Sequence, residues 1–436
     1  MDLRPHLKKG IWALFDKGLT GIYGFAFIYS VMSKLPREEY GVYSIIFAFT
    51  SMALLFNKGF ILYPMTKYEA EGGSKPKLLG TTLIVSFVTL SIFALAIFLF
   101  APLGNRIFNT EELTPLLRLV PLLIASFFFR DFTLSYLQAH RRIKALSIVD
   151  AIYFLGLAVT FVILSLTGVL KSAMTAAWLH IAFASLSSAA CYLVVRKDIK
   201  IDFRFSREEF KRLGRFGRYS LSMGLGELIF YQVDLLLLGR FFDPVAVAMY
   251  QSAKLLFRFY SLLSQSLNLL IFPGTSKLHH QQRLDDIRSM YSKVIAYYWS
   301  LMLVLNIVLF ATAGMIMKIV SYPESANIFR IFLVFSFFEP LYTVSMSVLY
   351  GMGKPKLAFK PLIFAIPLYI GLNLLLIPSL HGYGAALAFN INNLFLGISY
   401  LYILKKEIGV RTADIFNHIR EYPSLIRKIA ATRVNK

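Results

Sequence analysis

The sequence predicts an all-α polytopic membrane protein with twelve transmembrane helices in two six-helix lobes. Its 436 residues are 57% hydrophobic and only 16% charged, whereas soluble domains carry about a quarter charged residues. Several apolar runs reach roughly 20 residues, which is long enough for a helix to cross a ~30 Å hydrocarbon core. Short motifs also recur in the same order in both halves of the chain, which predicts that the lobes are related by an internal parallel repeat.

The hydropathy pattern divides the chain into twelve candidate spans. The first follows a basic N-terminal segment, and no small-residue cleavage site comes after it, so we interpret it as a retained span and not a signal peptide. The predicted spans are 11–33, 40–65, 79–101, 114–138, 147–168, 172–195, 218–239, 244–272, 291–316, 328–350, 357–377 and 383–404.

The distribution of Lys and Arg orients these spans. With the N-terminus in the cytoplasm, the predicted inner loops and tails hold about five times as many cations as the outer loops, which is a strong positive-inside signal. Both termini are therefore predicted to be cytoplasmic. The net charge of +22 then mostly faces anionic lipid, so membrane lipids are expected partners and nucleic acid is not. The single cysteine, Cys191, excludes an internal disulfide and a cysteine-cluster metal site.

Two basic cytoplasmic segments are predicted outside the lobes. Ser206 followed by Glu209 is typical of a helix capping box, so we expect an interfacial amphipathic helix in the longest inner loop. The predicted domains are an N-terminal lobe at 1–195, a cytoplasmic amphipathic linker at 196–217, a C-terminal lobe at 218–404 and a basic cytoplasmic tail at 405–436.

Three pairs of motifs support the internal repeat. "LPREEYGVYS" resembles "FDPVAVAMYQS", "LYPMTK" resembles "IFPGTSK", and the segments that begin at Ser126 and Ser336 share "SFF". The offset between the paired motifs stays near about 210 residues. Because each half has an even number of predicted spans, both halves enter the membrane from the same side. Paired bundles of this kind suit alternating access, in which one bundle rocks against the other.

Several of these motifs also resemble a known family. "LPREEYGVYSI", "FPGTSKL", "YGMGKPKL" and "REEFKRLGRFGRYSLSMGL" are similar to signposts of bacterial polysaccharide flippases in the multidrug/oligosaccharidyl-lipid/polysaccharide exporter superfamily. The resemblance implies transport of a polyprenyl-diphosphate-linked oligosaccharide, such as an O-antigen unit, from the inner to the outer leaflet of the bacterial cytoplasmic (inner) membrane. It further implies that a polysaccharide polymerase and glycosyltransferases are partners in polysaccharide biosynthesis.

The eighth predicted span carries a polar stripe with two cations in its middle. Lys254 and Arg258 lie one helical turn apart, about 15 and about 21 Å from the outer end at ~1.5 Å per residue. Like charges so close repel each other unless an anion lies between them, and the diphosphate implied by the resemblance is such an anion. An ion pair with acids of the neighbouring span, or snorkelling, stays open as an alternative. The stripe, our main candidate for substrate binding, consists of Gln251, Lys254, Arg258, Ser261, Gln265 and Asn268.

Three further cations are candidate contacts for a headgroup that enters from the cytoplasm. Lys17, Lys58 and Arg130 lie toward the inner third of their predicted spans. The two lysines could equally snorkel to the inner interface. Asp131 follows Arg130 directly, but adjacent residues on a helix point about 100° apart and need not pair.

Three acids are candidates for ion coupling. Glu227 and Asp234 lie seven residues apart on one face of the seventh predicted span, where they either pair with the cations of the eighth or bind H⁺ or Na⁺. Glu339 precedes Pro340 at mid-depth of the tenth predicted span. Proline removes a backbone hydrogen bond, so we expect a kink there, with either a cation site or a buried protonated carboxyl. No other cofactor is expected.

Two other functions remain as alternatives. A cation-coupled multidrug exporter of the same superfamily would favour acidic or apolar sites, and the paired cations Lys254 and Arg258 oppose it. A membrane glycosyltransferase or polymerase usually needs a sizeable outer loop, whereas the longest predicted outer loops have about a dozen residues. The sequence shows no phosphate-cradling glycine loop, histidine cluster or nucleophile arrangement, so we do not expect an enzyme.

Overall fold

The computed structural model describes residues 4–71, 75–334 and 336–418. Within these ranges the regular structure is entirely helical, and no strand occurs. The chain forms two compact units, Met1–Gln251 and Ser252–Lys436. The first unit is longer than the predicted N-terminal lobe, so the lobe boundaries inferred from the sequence stay a prediction.

The first unit contains nine helices and the start of a tenth. Two π-helical turns, Ile28–Met32 and Lys58–Leu62, continue the helices that precede them. The helices are α1 Arg4–Phe27, α2 Arg37–Asn57, α3 Tyr63–Ala70, α4 Pro76–Phe108, α5 Leu113–Leu117, α6 Val120–Ala139, α7 Ile143–Leu166, α8 Ala173–Val195, α9 Arg207–Phe241 and α10 Pro244–His280.

The described part of the second unit begins within α10 and contains four further numbered helices. A 3₁₀ turn at Pro323–Ser325 precedes the second of them, and residues 412–418 are also helical. The helices are α11 Leu284–Ile319, α12 Ala326–Val334, α13 Phe338–Gly351 and α14 Pro355–Ile408.

Helices cover all of the predicted spans, and the chain is a multi-pass membrane protein. Among the described residues, seven helical segments are long and apolar enough to cross a membrane, and α12 with α13 would make an eighth. The 54-residue helix α14 covers the last two predicted spans and breaks at His381, where φ is 53° and ψ is −135°. Parts of α9 and α10 lie outside the described residues, so neither helix is counted here. The number twelve and the internal repeat therefore remain predictions.

The predicted linker helix is continuous with the following span. Helix α9 runs through 35 residues without a proline, so nothing in its sequence ends it near residue 217. Ser206 caps its start as expected, because the Ser206 Oγ accepts the N–H of Glu209 at 3.3 Å. In a capping box the Glu209 side chain would also accept the Ser206 N–H. Here the Ser206 N–H donates instead to the Thr81 Oγ1 at 3.1 Å.

One repeat motif lies at a close contact between backbones in the first unit. A Cβ added to Gly41 of α2 would lie 1.7 Å from the carbonyl oxygen of Pro244. Only glycine allows this approach. The contact joins α2 to the first residue of α10.

The core of the first unit reaches the N-terminal part of α9. Leu62, Leu79, Phe132 and Leu137 are fully buried in one cluster, and Leu213 of α9 packs into it with 2% of its surface exposed. This burial holds the start of α9 against α3, α4 and α6, so the basic segment that leads into α9 has a fixed position.

Candidate functional site

The polar stripe on α10 contains a buried cation. Lys254 is only 6% exposed, and its Nζ lies 5.7 Å from the ring centroid of Phe389 on α14, within range for a cation–π interaction. Arg258, one turn further along α10, is exposed. The structure thus places one of the two predicted cations inside the second unit and the other at a surface.

The polar residues around these cations are only partly described. Gln251 is half-buried, and its Oε1 has no donor among the described residues; the same holds for the Oδ1 of Asn268. The side chains of Ser261 and Gln265 lie outside the described residues. Buried amide oxygens without donors are unusual in proteins, so Gln251 and Asn268 keep hydrogen-bonding capacity available.

Glu339 lies in a buried hydrogen-bonded cluster of the second unit. It is 5% exposed, and it accepts a 2.5 Å hydrogen bond from the Ser264 Oγ of α10. The Ser264 Oγ also lies 3.1 Å from the hydroxyl of Tyr298 on α11, which in turn donates to the Tyr260 carbonyl at 3.0 Å. In the described part of the chain, no Lys or Arg forms an ion pair with Glu339. This carboxyl therefore has the surroundings of a group that holds a proton or a small cation.

The helix break beside Glu339 lies earlier than the sequence predicts. Helix α12 ends at Val334 and α13 begins at Phe338, so Pro340 occupies the first turn of α13, where it removes no intrahelical hydrogen bond. Side chains of α11 bind carbonyls on both sides of this break. The Asn306 Nδ2 donates to the Leu333 carbonyl at 3.2 Å, and the Trp299 Nε1 donates to the Phe337 carbonyl at 2.8 Å.

Arg130 lies in a buried ion-pair cluster of the first unit. Its guanidinium forms a close ion pair with Asp150 of α7 and donates to the Ser187 Oγ of α8 at 3.1 Å. Asp131 is a more distant partner at 3.5 Å, and the ring of Tyr153 lies 4.6 Å below the guanidinium carbon. A headgroup could reach Arg130 only if this pair opened.

The remaining predicted residues are distributed between surface and interior. Lys17 and Lys58 are exposed, as either headgroup binding or snorkelling requires. Asp234 is fully buried and accepts a hydrogen bond from the Tyr250 hydroxyl, which links α9 to α10. The side chain of Glu227 lies outside the described residues.

A buried histidine of the first unit was not singled out by sequence reasoning. His180 of α8 is 2% exposed, and its two ring nitrogens each lie 2.8 Å from a tyrosine hydroxyl, of Tyr43 on α2 and of Tyr153 on α7. The sequence signal that could have identified His180 is its position within an apolar span. Asp150, the partner of Arg130, and Ser264, the partner of Glu339, were missed as well, because both pairs join different helices.

The described side chains of this region are suited to binding ions. The cations Lys254 and Arg258 can hold an anion, and Glu339 can hold a proton or a cation. Among the described residues, no group of three or more His, Cys, Asp or Glu side chains is placed to hold a metal ion.

The chain is similar in sequence to known proteins. A family model described as "Polysaccharide biosynthesis protein" matches residues 35–321, which is more than half of the chain. A protein of Shigella flexneri that carries the provisional name O-antigen transporter is 21% identical over 372 residues, covering 80% of this chain and 86% of its own. An uncharacterized membrane protein of Methanocaldococcus jannaschii is 25% identical over 223 residues, covering 49% of this chain and 44% of its own.

Solved structures share the fold. The lipid II flippase MurJ in an inward closed conformation matches with a TM-score of 0.76 and 14% identity, covering 98% of this chain and 93% of that one. An inward-facing multidrug resistance transporter of the MATE family, in the MOP superfamily, matches with a TM-score of 0.68 and 16% identity, covering 89% and 94%. At these identities the similarity shows a common fold.

Proposed function

Because the chain belongs to the family of polysaccharide biosynthesis proteins, we propose that it is a flippase for a polyprenyl-diphosphate-linked oligosaccharide. The proposed cargo is an O-antigen unit or a similar polysaccharide repeat unit, which moves from the inner to the outer leaflet of the bacterial cytoplasmic membrane. The name of the Shigella flexneri relative supports this class of cargo. Moving a headgroup between leaflets breaks no covalent bond, so the proposal requires no catalytic residue.

The buried cation Lys254 is the observation that carries this proposal. Placing a lysine at the centre of a membrane helix costs about 2.5–3.5 kcal/mol on insertion scales, so such residues usually serve a function. Lys254 supplies a point charge, and Arg258, one turn away, supplies a planar fork that matches phosphate oxygens. The two together bind the diphosphate, while Gln251, Ser261 and Gln265 along the same stripe hydrogen-bond the sugars.

Transport proceeds by alternating access in this proposal. Lys17 and Lys58 are exposed and attract the headgroup at the cytoplasmic side, where both termini lie. Outward movement of a dianionic headgroup across an inside-negative membrane is favoured by ~4.6 kcal/mol per 100 mV. Transport is coupled to H⁺ or Na⁺ through three acids, Glu339, Asp234 and Glu227.

Removal of both cations tests the proposed role. We expect Lys254→Ala combined with Arg258→Ala to abolish export of the glycan, because the diphosphate loses both positive contacts. The measurement is the amount of surface polysaccharide in cells that depend on this protein for export, together with the lipid-linked precursor that accumulates inside. Surface polysaccharide at the normal level in the double variant would remove the proposed site.

Two variants serve as controls for this experiment. Lys254→Arg combined with Arg258→Lys keeps both charges and should retain part of the export. Lys405→Ala combined with Lys406→Ala removes two exposed cations at the end of α14 and should leave export unchanged. Equal membrane levels of all variants show that a loss of export is not a loss of folding.

A cation-coupled multidrug exporter is the second candidate, and the buried carboxyl of Glu339 is the feature that favours it. An organic cation could bind such an acid directly. Uptake of a fluorescent organic cation into inverted vesicles that contain the purified protein distinguishes the two functions. Uptake that survives the Lys254→Ala and Arg258→Ala changes but is lost in Glu339→Gln would favour the exporter.

A further inference from the structure

The first unit carries an apolar groove along the first half of α4. Its volume is about 330 Å³. The groove combines one residue of the π turn after α2, four residues of α4 and two aromatic rings next to the start of α9. Its lining consists of Phe60, Ile84, Val85, Val88, Thr89, Phe205 and Phe210.

The segment before α9 is fixed on α4, so the groove has a defined wall. A Cβ added to Gly80 would lie 1.8 Å from the carbonyl oxygen of Asp202, which shows how closely the two backbones approach. The Asp202 N–H donates to the Pro76 carbonyl at 3.0 Å, and the Ser206 N–H donates to Thr81. These contacts hold Phe205 and Phe210, whose ring centroids are 5.7 Å apart, beside α4.

The start of α9 is also tied to α3. The Arg212 guanidinium lies 4.1 Å from the ring centroid of Tyr68 and 3.7 Å from a carboxylate oxygen of Glu71. The Arg212 side chain thus points toward α3.

Exposed cations flank the aromatic wall of the groove. Arg204 precedes Phe205 and is 91% exposed at its side chain. Arg207 lies one turn before Phe210 on α9, Lys211 follows Phe210, and both are exposed. Two acids lie beside these three cations: Glu208 is an exposed carboxylate on the same turn, and a carboxylate oxygen of Asp202 lies 4.0 Å from the Arg204 guanidinium. The net charge beside the groove is therefore still positive.

The groove lies at the depth where the hydrocarbon core of the membrane begins. Residues 84–89 lie about 12–20 Å from the start of α4 at ~1.5 Å per residue, and α4 is longer than a ~30 Å hydrocarbon core requires. The cations lie in the segment before α9 and in its first turns, which the positive-inside pattern assigns to the cytoplasm.

We propose that this groove binds an acyl chain of an anionic phospholipid of the inner leaflet, whose phosphate contacts Arg204, Arg207 and Lys211. The apolar lining accommodates the chain, and the charge complementarity selects an anionic headgroup. This site shares no residue with the polar stripe on α10 and does not depend on which substrate is transported.

Native mass spectrometry of the full-length protein in detergent tests this site. Phosphatidylglycerol is added as the anionic probe, and phosphatidylcholine with the same chains is the zwitterionic probe. We expect one tightly retained phosphatidylglycerol. Arg204→Gln, Arg207→Gln and Lys211→Gln should each weaken its binding about fivefold, since a cation near an anionic lipid surface contributes about that factor.

The apolar wall is tested separately. Phe205→Ala combined with Phe210→Ala should release the retained lipid with the three cations in place. The matched control is Phe98→Ala combined with Phe100→Ala, because both phenylalanines are exposed on the other half of α4. If the wall variant does not fold, the three exposed cations still provide the test.

Three outcomes would overturn the proposal. The first is equal retention of phosphatidylcholine and phosphatidylglycerol. The second is retention that neither set of variants changes. The third is displacement of phosphatidylglycerol by an equimolar polyprenyl diphosphate, which would assign the groove to the transported lipid.

Discussion

Individual charges within the helices differ in whether the fold supplies a counter-charge. The guanidinium of Arg130 is paired with Asp150 and hydrogen-bonded to Ser187, whereas the carboxyl of Glu339 accepts a hydrogen bond from the neutral Ser264. Sequence reasoning treated both as ligand-binding candidates because each is a charge in an apolar segment. The two charges differ because their partners lie on other helices. The spacing of residues along one helix does not reveal those partners.

Removal of Asp150 should destabilise the first unit. We expect Asp150→Ala to cost about 3–5 kcal/mol, because the buried Arg130 guanidinium then lacks its closest partner. The double variant Arg130→Met with Asp150→Leu should recover part of this loss, since two apolar side chains of similar size replace the pair, while the partly exposed Asp131 loses its cation. The measurement is the midpoint of thermal unfolding of the purified protein in lipid nanodiscs.

Arg330→Met is the control for this prediction. Arg330 is half-exposed and donates to the Phe310 carbonyl, so its replacement should change the midpoint little. A double variant as unstable as Asp150→Ala would show that the Arg130 cluster stabilises by something other than charge pairing.

At the scale of elements, the tenth predicted span is two helices joined at a break. The proline that predicted a kink lies in the first turn of α13, and the break precedes it. The hydrogen bonds of Asn306 and Trp299 explain how the break persists inside a membrane, where unsatisfied carbonyls are costly. Tyr260 donates to the Asn306 Oδ1, so this asparagine is itself fixed.

Asn306→Ala should therefore destabilise the second unit. The Tyr260 hydroxyl loses its acceptor, at a cost of about 1–3 kcal/mol for a buried group left unsatisfied, whereas the Leu333 carbonyl keeps the Ser336 hydroxyl as a donor at 2.7 Å. We expect a lower midpoint of thermal unfolding in nanodiscs, and a smaller effect for Pro340→Ala, since Pro340 does not make the break.

Thr312→Ala is the matched control on α11. Its hydroxyl donates to the Val308 carbonyl at an exposed position, so its loss should change stability by less than about 0.5 kcal/mol. If Pro340→Ala proved more damaging than Asn306→Ala, the break would depend on the proline after all.

At the scale of the whole molecule, family membership and fold agree with the resemblance found in the sequence motifs. The family is confirmed by the family model, and the MurJ and MATE structures share the fold of this chain. The helices of both units cover the segments that hydropathy predicted. The positive-inside pattern predicts the orientation of the chain.

Labelling of single cysteines tests this orientation. In a Cys191→Ala background, Lys171→Cys should react with a membrane-impermeant maleimide in intact cells, because the loop before α8 is predicted to lie outside. Lys211→Cys should react only after the inner membrane is permeabilised. Both lysines are exposed and Cys191 is buried. Labelling of Lys211→Cys from outside in intact cells would reverse the predicted topology.

The sequence by itself determined the class of the protein, which segments are apolar helices, the cap of α9 at Ser206 and the family. These properties follow from free-energy contributions that are local in the sequence. The contributions are the transfer of apolar residues into lipid and hydrogen bonds between near neighbours. Only the tertiary structure decided that Asp150 neutralises Arg130, that Ser264 and Tyr298 surround Glu339, and that Phe205 and Phe210 complete a groove with α4. Such contacts join residues that are distant in sequence, so they depend on which helices pack together, and hydropathy carries no information about that choice.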